Sequence, residues 1–407
     1  MKTARTNISI LKQICQLIPP HLVTKLAKKH GVDKQSRKIT PWNHVVTLMY
    51  SQLSHALSLN DVCDGLNNHC SKLSTIRGAK APSRNGFSNA NRTRNSDMAE
   101  ELFWSVLSHL HSLSKDFGGQ HYKGMPRRFK RTINVVDSTT ISLVANSMDW
   151  AKHRRRKAAA KCHMCLDLGS FLPKFVVVDA AKHSDPKMAY EVCANIKSGE
   201  IVVFDKAYVD FKHLNLLDQR DVFWVNRAKS NMKYETIREL PIKEDSKIIT
   251  DAVIKLTMKN TKKHYQQEFR LVTALCKVNG KEVEMTFISN NLTWAASSIS
   301  DLYKSRWSVE VFFKQIKQTL QLCDFLGHNE HAVKWQIWTA LLVYVLLRFI
   351  AHVNKWKHSF SRIFTLIRGV LWSNVKLVCL LKSYGTASGG KRFTALPSQA
   401  YLPNFSP

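Results

Sequence analysis

Over the first 125 or so positions apolar residues recur at three- and four-residue intervals between turn formers, the period of amphipathic helices. ILKQICQLI (10–18), HLVTKLAKKHG (21–31) with its glycine stop, and PWNHVVTLMYSQLSHAL (41–57) are predicted helices. Ser58 is placed to cap LNDVCDGL and Ser83 to cap RNGFSNANRTRN. Near residue 130 the pattern changes to short apolar runs bounded by turn residues: RTINVVDSTTISL, AKCHMCLDLG, LPKFVVVDAA and EIVVFDKAY read as strands, several of them buried on both faces. PKMAYEVCANI and FKHLNLLDQR read as helices between them, and VFWVNRAK as a further strand. From 230 to 295 alternating segments predict a separate β-rich insertion, and helices resume from about Ser297 to 382. The pattern thus divides the chain into a helical region (1–125), a mixed α/β core in two parts (126–229 and 296–382, the second with C-terminal helices), the insertion (230–295) and a tail (383–407).

Composition adds a partner to this outline. The 407 residues carry 61 Lys+Arg against 30 Asp+Glu, a formal net charge of +31 spread along the whole chain. Such an excess repels itself unless a polyanion is the usual partner, so nucleic acid is expected. Ten Trp and 19 Phe are a large apolar investment for simple phosphate glue, which favours an enzyme acting on nucleic acid. Nine cysteines, mostly within apolar stretches, fit a reducing compartment, and a soluble cytoplasmic protein is expected. Cys162 and Cys165 form a lone C-x2-C without a second pair at zinc-site spacing. The apolar run Ile337–Leu347 is too short to span a bilayer, so no membrane is expected as a partner.

Acids are scarce, so their placement is informative. Asp137 ends the run INVV and Asp205 ends IVVF, each where a buried strand emerges. Ionised Asp is costly in an apolar sheet, so each is expected to face a polar site or a cation; a turn-forming Asp is the alternative. On the helix after the insertion, Tyr303, Arg306, Glu310, Lys314 and Lys317 fall within an arc of about 80° at 100° per residue, opposite an apolar face of Leu302, Val309, Phe312, Phe313, Ile316 and Leu320. An acid among cations results, either a site or a solvated ion pair. Arg84, Arg92 and Arg94, with Asn85 and Asn89, give the segment after Ser83 the residue types that read guanine and adenine; a solvated polar helix has the same composition. Arg154, Arg155 and Arg156 form a basic segment suited to a phosphate-contacting loop.

Tyr303-x2-Arg306-x3-Glu310-x6-Lys317 matches the Y-x2-R-x3-E-x6-K signature of the insertion-sequence-4 family of bacterial DDE transposases, which this chain resembles. Asp137 in VVDSTTISL is similar to that family's first-aspartate segment and Asp205-Lys206-Ala207-Tyr208 to its second. Phe223 to Arg227 resembles the following strand, and the N-terminal stretch resembles the helical domain of one branch of the family. The resemblance implies an RNase H-like core with a β-rich insertion and a helical N-terminal DNA-binding domain. It further implies that Asp137, Asp205 and Glu310 are catalytic ligands of two Mg²⁺ ions, with Mn²⁺ able to substitute. Tyr303, Arg306, Lys314 and Lys317 would lie against DNA phosphates, and Trp307 is either a support for an unstacked base or a core residue. The implied partners are the terminal inverted repeats of the transposon, target DNA and a second copy in a synaptic homodimer. Cut-and-paste transposition is the expected activity. A transposase-derived DNA-binding protein and a metal nuclease without strand transfer are the alternatives.

Overall fold

The computed structural model describes residues 5–34, 36, 39–119, 129–143, 152–154, 157–180, 185–243, 247–278, 280–320 and 325–383. Arg155, Arg156 and the predicted tail beyond residue 383 lie outside them.

Seven helices open the chain: α1 (Ile10–Cys15), α2 (Leu22–Lys29), α3 (Pro41–Ser54), α4 (Leu59–Asn67), α5 (Cys70–Ser74), α6 (Arg84–Thr93) and α7 (Asp97–Leu113). Local chemistry sets their starts. Thr40 accepts from the Asn43 amide with Pro41 in the first turn, and Ser83 accepts from the Gly86 amide. Ser58 and Asp61 form a reciprocal capping box on α4.

The strands that follow form one ten-stranded sheet. β1 (Ile133–Leu143) pairs antiparallel with β3 (Lys157–Asp167), which pairs antiparallel with β4 (Leu172–Ala180) and, at its start, with the short β2 (Lys152–Arg154). On its other edge β1 runs parallel to β5 (Ile201–Phe204), and β5 parallel to β6 (Phe223–Arg227). An antiparallel meander followed by two strands parallel to its first is the RNase H-like arrangement. α8 (Asp185–Val192) and α9 (Phe211–Gln219) supply the crossovers. Successive residues of the central strands serve opposite cores. Val135, Val203 and Val225 join one cluster, Val136, Val202 and Trp224 the other, so both faces are buried and the runs read as continuously apolar.

The β-rich zone joins the same sheet. β7 (Tyr234–Glu239), β8 (Ile248–Leu256) and, after the short α10 (Lys259–Lys262), β9 (Phe269–Val278) and β10 (Lys281–Ser289) form an antiparallel run. Its last strand pairs with β6 through Phe287 opposite Arg227 and Ser289 opposite Val225. Arg270 makes a buried fork to both oxygens of Asp251, at 2.7 and 2.6 Å, and donates to the carbonyls of Leu292 and Trp294. This pins the sheet extension to the chain entering the next helices.

Those helices are α11 (Ala296–Ser305), α12 (Trp307–Lys314), a π-turn (Gln315–Thr319), α13 (Glu330–Val353), α14 (Phe360–Arg368) and α15 (Leu377–Ser383). α13 corrects the reading of its apolar run. The helix has 24 residues, long and apolar enough to cross a membrane, but 78% of its most apolar window is buried inside the protein. It is the centre of the larger core, where α3, α6 and α7 pack against it together with one sheet face. The N-terminal helices and one face of the sheet thus share a single hydrophobic cluster.

Candidate active site

Asp137 and Asp205 come together because β1 and β5 are parallel neighbours with Val136 opposite Phe204. The residue after each of these partners is an aspartate, on the face that carries α11 and α12. Asp137 does not end its strand, as the sequence pattern suggested; β1 continues to Leu143, and the carboxylate stands in mid-strand. The strand tolerates it because Ser138 N–H donates to its Oδ1 at 2.7 Å and a guanidinium meets its Oδ2. Asp205 is the first residue past β5, heading a 3₁₀ turn over Lys206–Tyr208.

The third acid arrives on the helix opposite. α11 and α12 meet at Arg306, which caps both, so the predicted long helix is nearly continuous with one tightened turn. Arg306 reaches all three acids: Nη1 lies 3.1 Å from Asp137 Oδ2, Nη2 2.8 Å from Glu310 Oε1 and Nε 3.9 Å from Asp205 Oδ1. Tyr303, 4% exposed and packed on Phe287, donates its hydroxyl to Asp205 Oδ1 at 3.0 Å. Tyr303 and Arg306, expected against DNA phosphates, contact the acids in this DNA-free arrangement. In this arrangement both side chains face the acids, because the helix packs directly on the sheet.

Burial pushes the Asp137 carboxyl up to about 6; the Ser138 amide and Arg306 oppose that shift, while the charges of Asp205 and Glu310 add to it. For Arg306 burial pulls downward, but Tyr303 and the surrounding acids outweigh it and hold the guanidinium above its ordinary value. Among the described residues no three His, Cys, Asp or Glu side chains already enclose a single ion position. The acids converge on the guanidinium instead.

The other expected contacts divide. Lys317 stretches across to β1 and donates to the Thr140 carbonyl at 2.6 Å, Lys314 is exposed, and Trp307 is half-exposed and belongs to neither apolar cluster. On α6, Arg84, Asn85, Ser88, Asn89 and Arg92 form one exposed face, with Arg92 donating to Asn89 at 3.2 Å. Arg94 is a correction: it is 9% exposed, and its guanidinium donates to the carbonyls of Ile39 and Thr40, so it ties α6 to the segment before α3 and does not face solvent. Arg154 falls on β2, within a hairpin with β3. Cys162 and Cys165 point to opposite faces of β3, one into each core, which rules out a shared metal.

The pattern of chemistry at strand ends extends to a residue passed over above. Phe204 pairs with Asn226, so Arg227 at the end of β6 stands beside Asp205 on the same face. It also lines a cleft of about 270 Å³ with Lys206, Lys229 and Ser230, whose wall on β9 and β10 is formed by Leu271, Glu284 and Thr286 from the opposite sheet face. Its signal in the sequence was the one used for the aspartates, a charged residue closing an apolar run.

A family model described as a transposase DDE domain matches residues 128–346, more than half of the chain. The chain belongs to the transposase DDE domain family. A second model, described as a domain of unknown function, matches residues 6–77 of this DDE protein. Relatives of the DDE chain include a putative transposase of Sinorhizobium fredii, 30% identical over 58% of this chain and 66% of that protein. A probable transposase for an insertion sequence element of Geobacillus stearothermophilus is 29% identical over 56% of this chain and 59% of its own length. A transposase for an insertion sequence element of Bacillus thuringiensis is 22% identical over 81% of this chain and 77% of that one. The chain spans just under two thirds of the first of these and less of the second.

Proposed function

We propose that this DDE protein is a DNA transposase that cuts and joins phosphodiester bonds with divalent cations, Mg²⁺ by preference and Mn²⁺ as a substitute. The observation that carries the proposal is the convergence of Asp137, Asp205 and Glu310, from three separate elements, around one cationic position on an RNase H-like sheet. Three carboxylates are an oxygen-only donor set suited to hard cations once Arg306 turns aside. Cations bound there would activate the attacking oxygen and neutralise charge at phosphorus.

The side chains have distinct tasks. Asp137 and Asp205 offer oxygens from a rigid sheet, and Glu310 closes the set from α12. Arg227, beside Asp205 on the same sheet face, and Lys206, next to it in the chain, would hold a DNA backbone by its phosphates. Lys314 and Lys317 extend that hold along the helix, and half-exposed Trp307 is available to stack on an unpaired base. The exposed Arg and Asn face of α6 would read the terminal inverted repeats. In the first step water adds to phosphorus and the 3′-oxygen leaves; in the second that 3′-hydroxyl attacks a target phosphate and displaces its 5′-neighbour. A second copy would hold the other transposon end.

Asp137→Ala, Asp205→Ala and Glu310→Ala are each expected to abolish Mg²⁺-dependent cleavage of terminal-repeat DNA while salt-sensitive binding persists. Full cleavage by any of the three overturns the assignment. Cleavage without joining of a 3′-hydroxyl to target DNA would reduce the protein to a nuclease.

A further inference from the structure

Arg306 uses its single positive charge on the same oxygens that a divalent cation needs. It contacts both aspartates and the glutamate at 3.1, 3.9 and 2.8 Å, and its ring neighbour Tyr303, whose own hydroxyl holds Asp205, lies 5.7 Å beneath it. The side chain is 11% exposed, and its Nε is buried without a hydrogen-bond partner. Arg306 is therefore held mainly by the acids, and one of its five donors is unused. The guanidinium lies between the acids, and among the described residues no three acids enclose an ion position. A dication and a guanidinium compete for these oxygens, since like charges at contact distance repel even with Asp205 and Glu310 partly open to solvent.

We propose, on the basis of the metal-dependent function above, that Arg306 is an internal counter-ion competing with divalent cations for Asp137, Asp205 and Glu310, and that DNA phosphates load the site by drawing the guanidinium away. A phosphate presents the same pair of oxygens to the guanidinium fork as a carboxylate does, so a backbone phosphate entering beside exposed Lys314 is an equivalent partner. Metal affinity then rises when DNA binds, and by linkage DNA affinity rises by the same factor when metal binds. The acids are partly neutralised by one guanidinium before DNA arrives and become a metal site once it is in place.

Mn²⁺ binding to the full chain, followed by electron paramagnetic resonance, tests this. Samples contain or lack a short duplex of arbitrary sequence at low ionic strength, with the duplex alone as blank. Wild type is expected to bind Mn²⁺ weakly alone and about ten-fold more tightly with duplex. Arg306→Gln, which removes the charge and leaves a shorter polar side chain, is expected to bind about ten-fold more tightly than wild type without DNA and to gain little from it. Asp137→Ala locates the signal by removing it. Arg306→Lys, which keeps the charge but loses the fork, is expected between the two and serves in place of the glutamine variant if that one does not fold. Mn²⁺ affinity in these variants equal to or below wild type overturns the counter-ion role, while acid-dependent binding in the wild-type duplex complex keeps the metal-dependent reading intact. Absence of acid-dependent Mn²⁺ binding in every sample overturns both.

Discussion

Asp137→Asn is expected to stabilise this protein while removing its chemistry. The Asp137 side chain is 16% exposed, and its carboxyl is pushed from the ordinary 3.8 up to about 6 by burial, with the Arg306 contact already acting in the opposite direction. The folded chain therefore holds the Asp137 proton more tightly than the unfolded chain does. Stability is undiminished below pH 4, falls as pH rises through the interval from about 4 to 6, and carries the whole cost above it. A rise of that size corresponds to about 3 kcal/mol. Asn keeps an oxygen for the Ser138 amide and has no charge to desolvate, and Arg306 retains Asp205 and Glu310 as partners. Chelator-treated Asp137→Asn should thus be more stable than wild type at pH 8 by roughly 1–3 kcal/mol, seen as a midpoint a few degrees higher in thermal melts, and the gap should close at pH 4. With duplex present, added Mg²⁺ should stabilise wild type but not the variant. An Asn variant less stable than wild type at pH 8, or a difference independent of pH, would refute the reasoning, because the carboxylate would then be a net stabilising group.

Three further outcomes follow from other parts of the molecule. Asp251→Asn breaks the buried fork that Arg270 makes at the sheet extension and should cost about 3–5 kcal/mol in denaturant melts, since it strands a buried guanidinium. Arg84→Ala and Asn85→Ala should each weaken sequence-specific binding by about 1–3 kcal/mol in a competition gel without changing the melt, whereas Arg94→Met should lower the melt through the lost carbonyl bonds of Ile39 and Thr40. His44 is fully buried, with its pKa lowered to about 3 by burial first and by Arg94 second, so unfolding gains a proton below about pH 6.5 and stability falls as pH drops from there. His44→Gln should flatten that acid limb, which a pH series of melts would read directly.

What the sequence alone determined was local. Thr40, Ser58 and Ser83 start their helices through bonds to amides three residues on, so the caps were visible in a short window. The apolar runs of β5 and β6 announced buried strands because both of their faces meet a core. Tyr303, Arg306 and Glu310 lie on one face because helical spacing puts them there. Asp137 and Asp205 stood out because a carboxylate closing or interrupting an apolar run is expensive, Glu310 because helical spacing set it among cations, and the signature motif tied the three together.

Tertiary structure decided everything that depended on register between distant segments. No spacing in the chain says that Val136 lies opposite Phe204, yet that pairing sets Asp137 beside Asp205 and brings Arg227 into the same row. Nor does spacing reveal that β10 would pair with β6 and turn an apparent insertion into an extension of the central sheet. Arg84 and Arg94 are alike in sequence; packing of α6 against α13 and the segment before α3 leaves one exposed and draws the other inward to carbonyls. The same holds at the centre of the site. Arg306 was legible as a cation near an acid, but only the approach of α12 to the sheet placed it among all three, because ion pairing across elements is a consequence of the fold and not of the local chain.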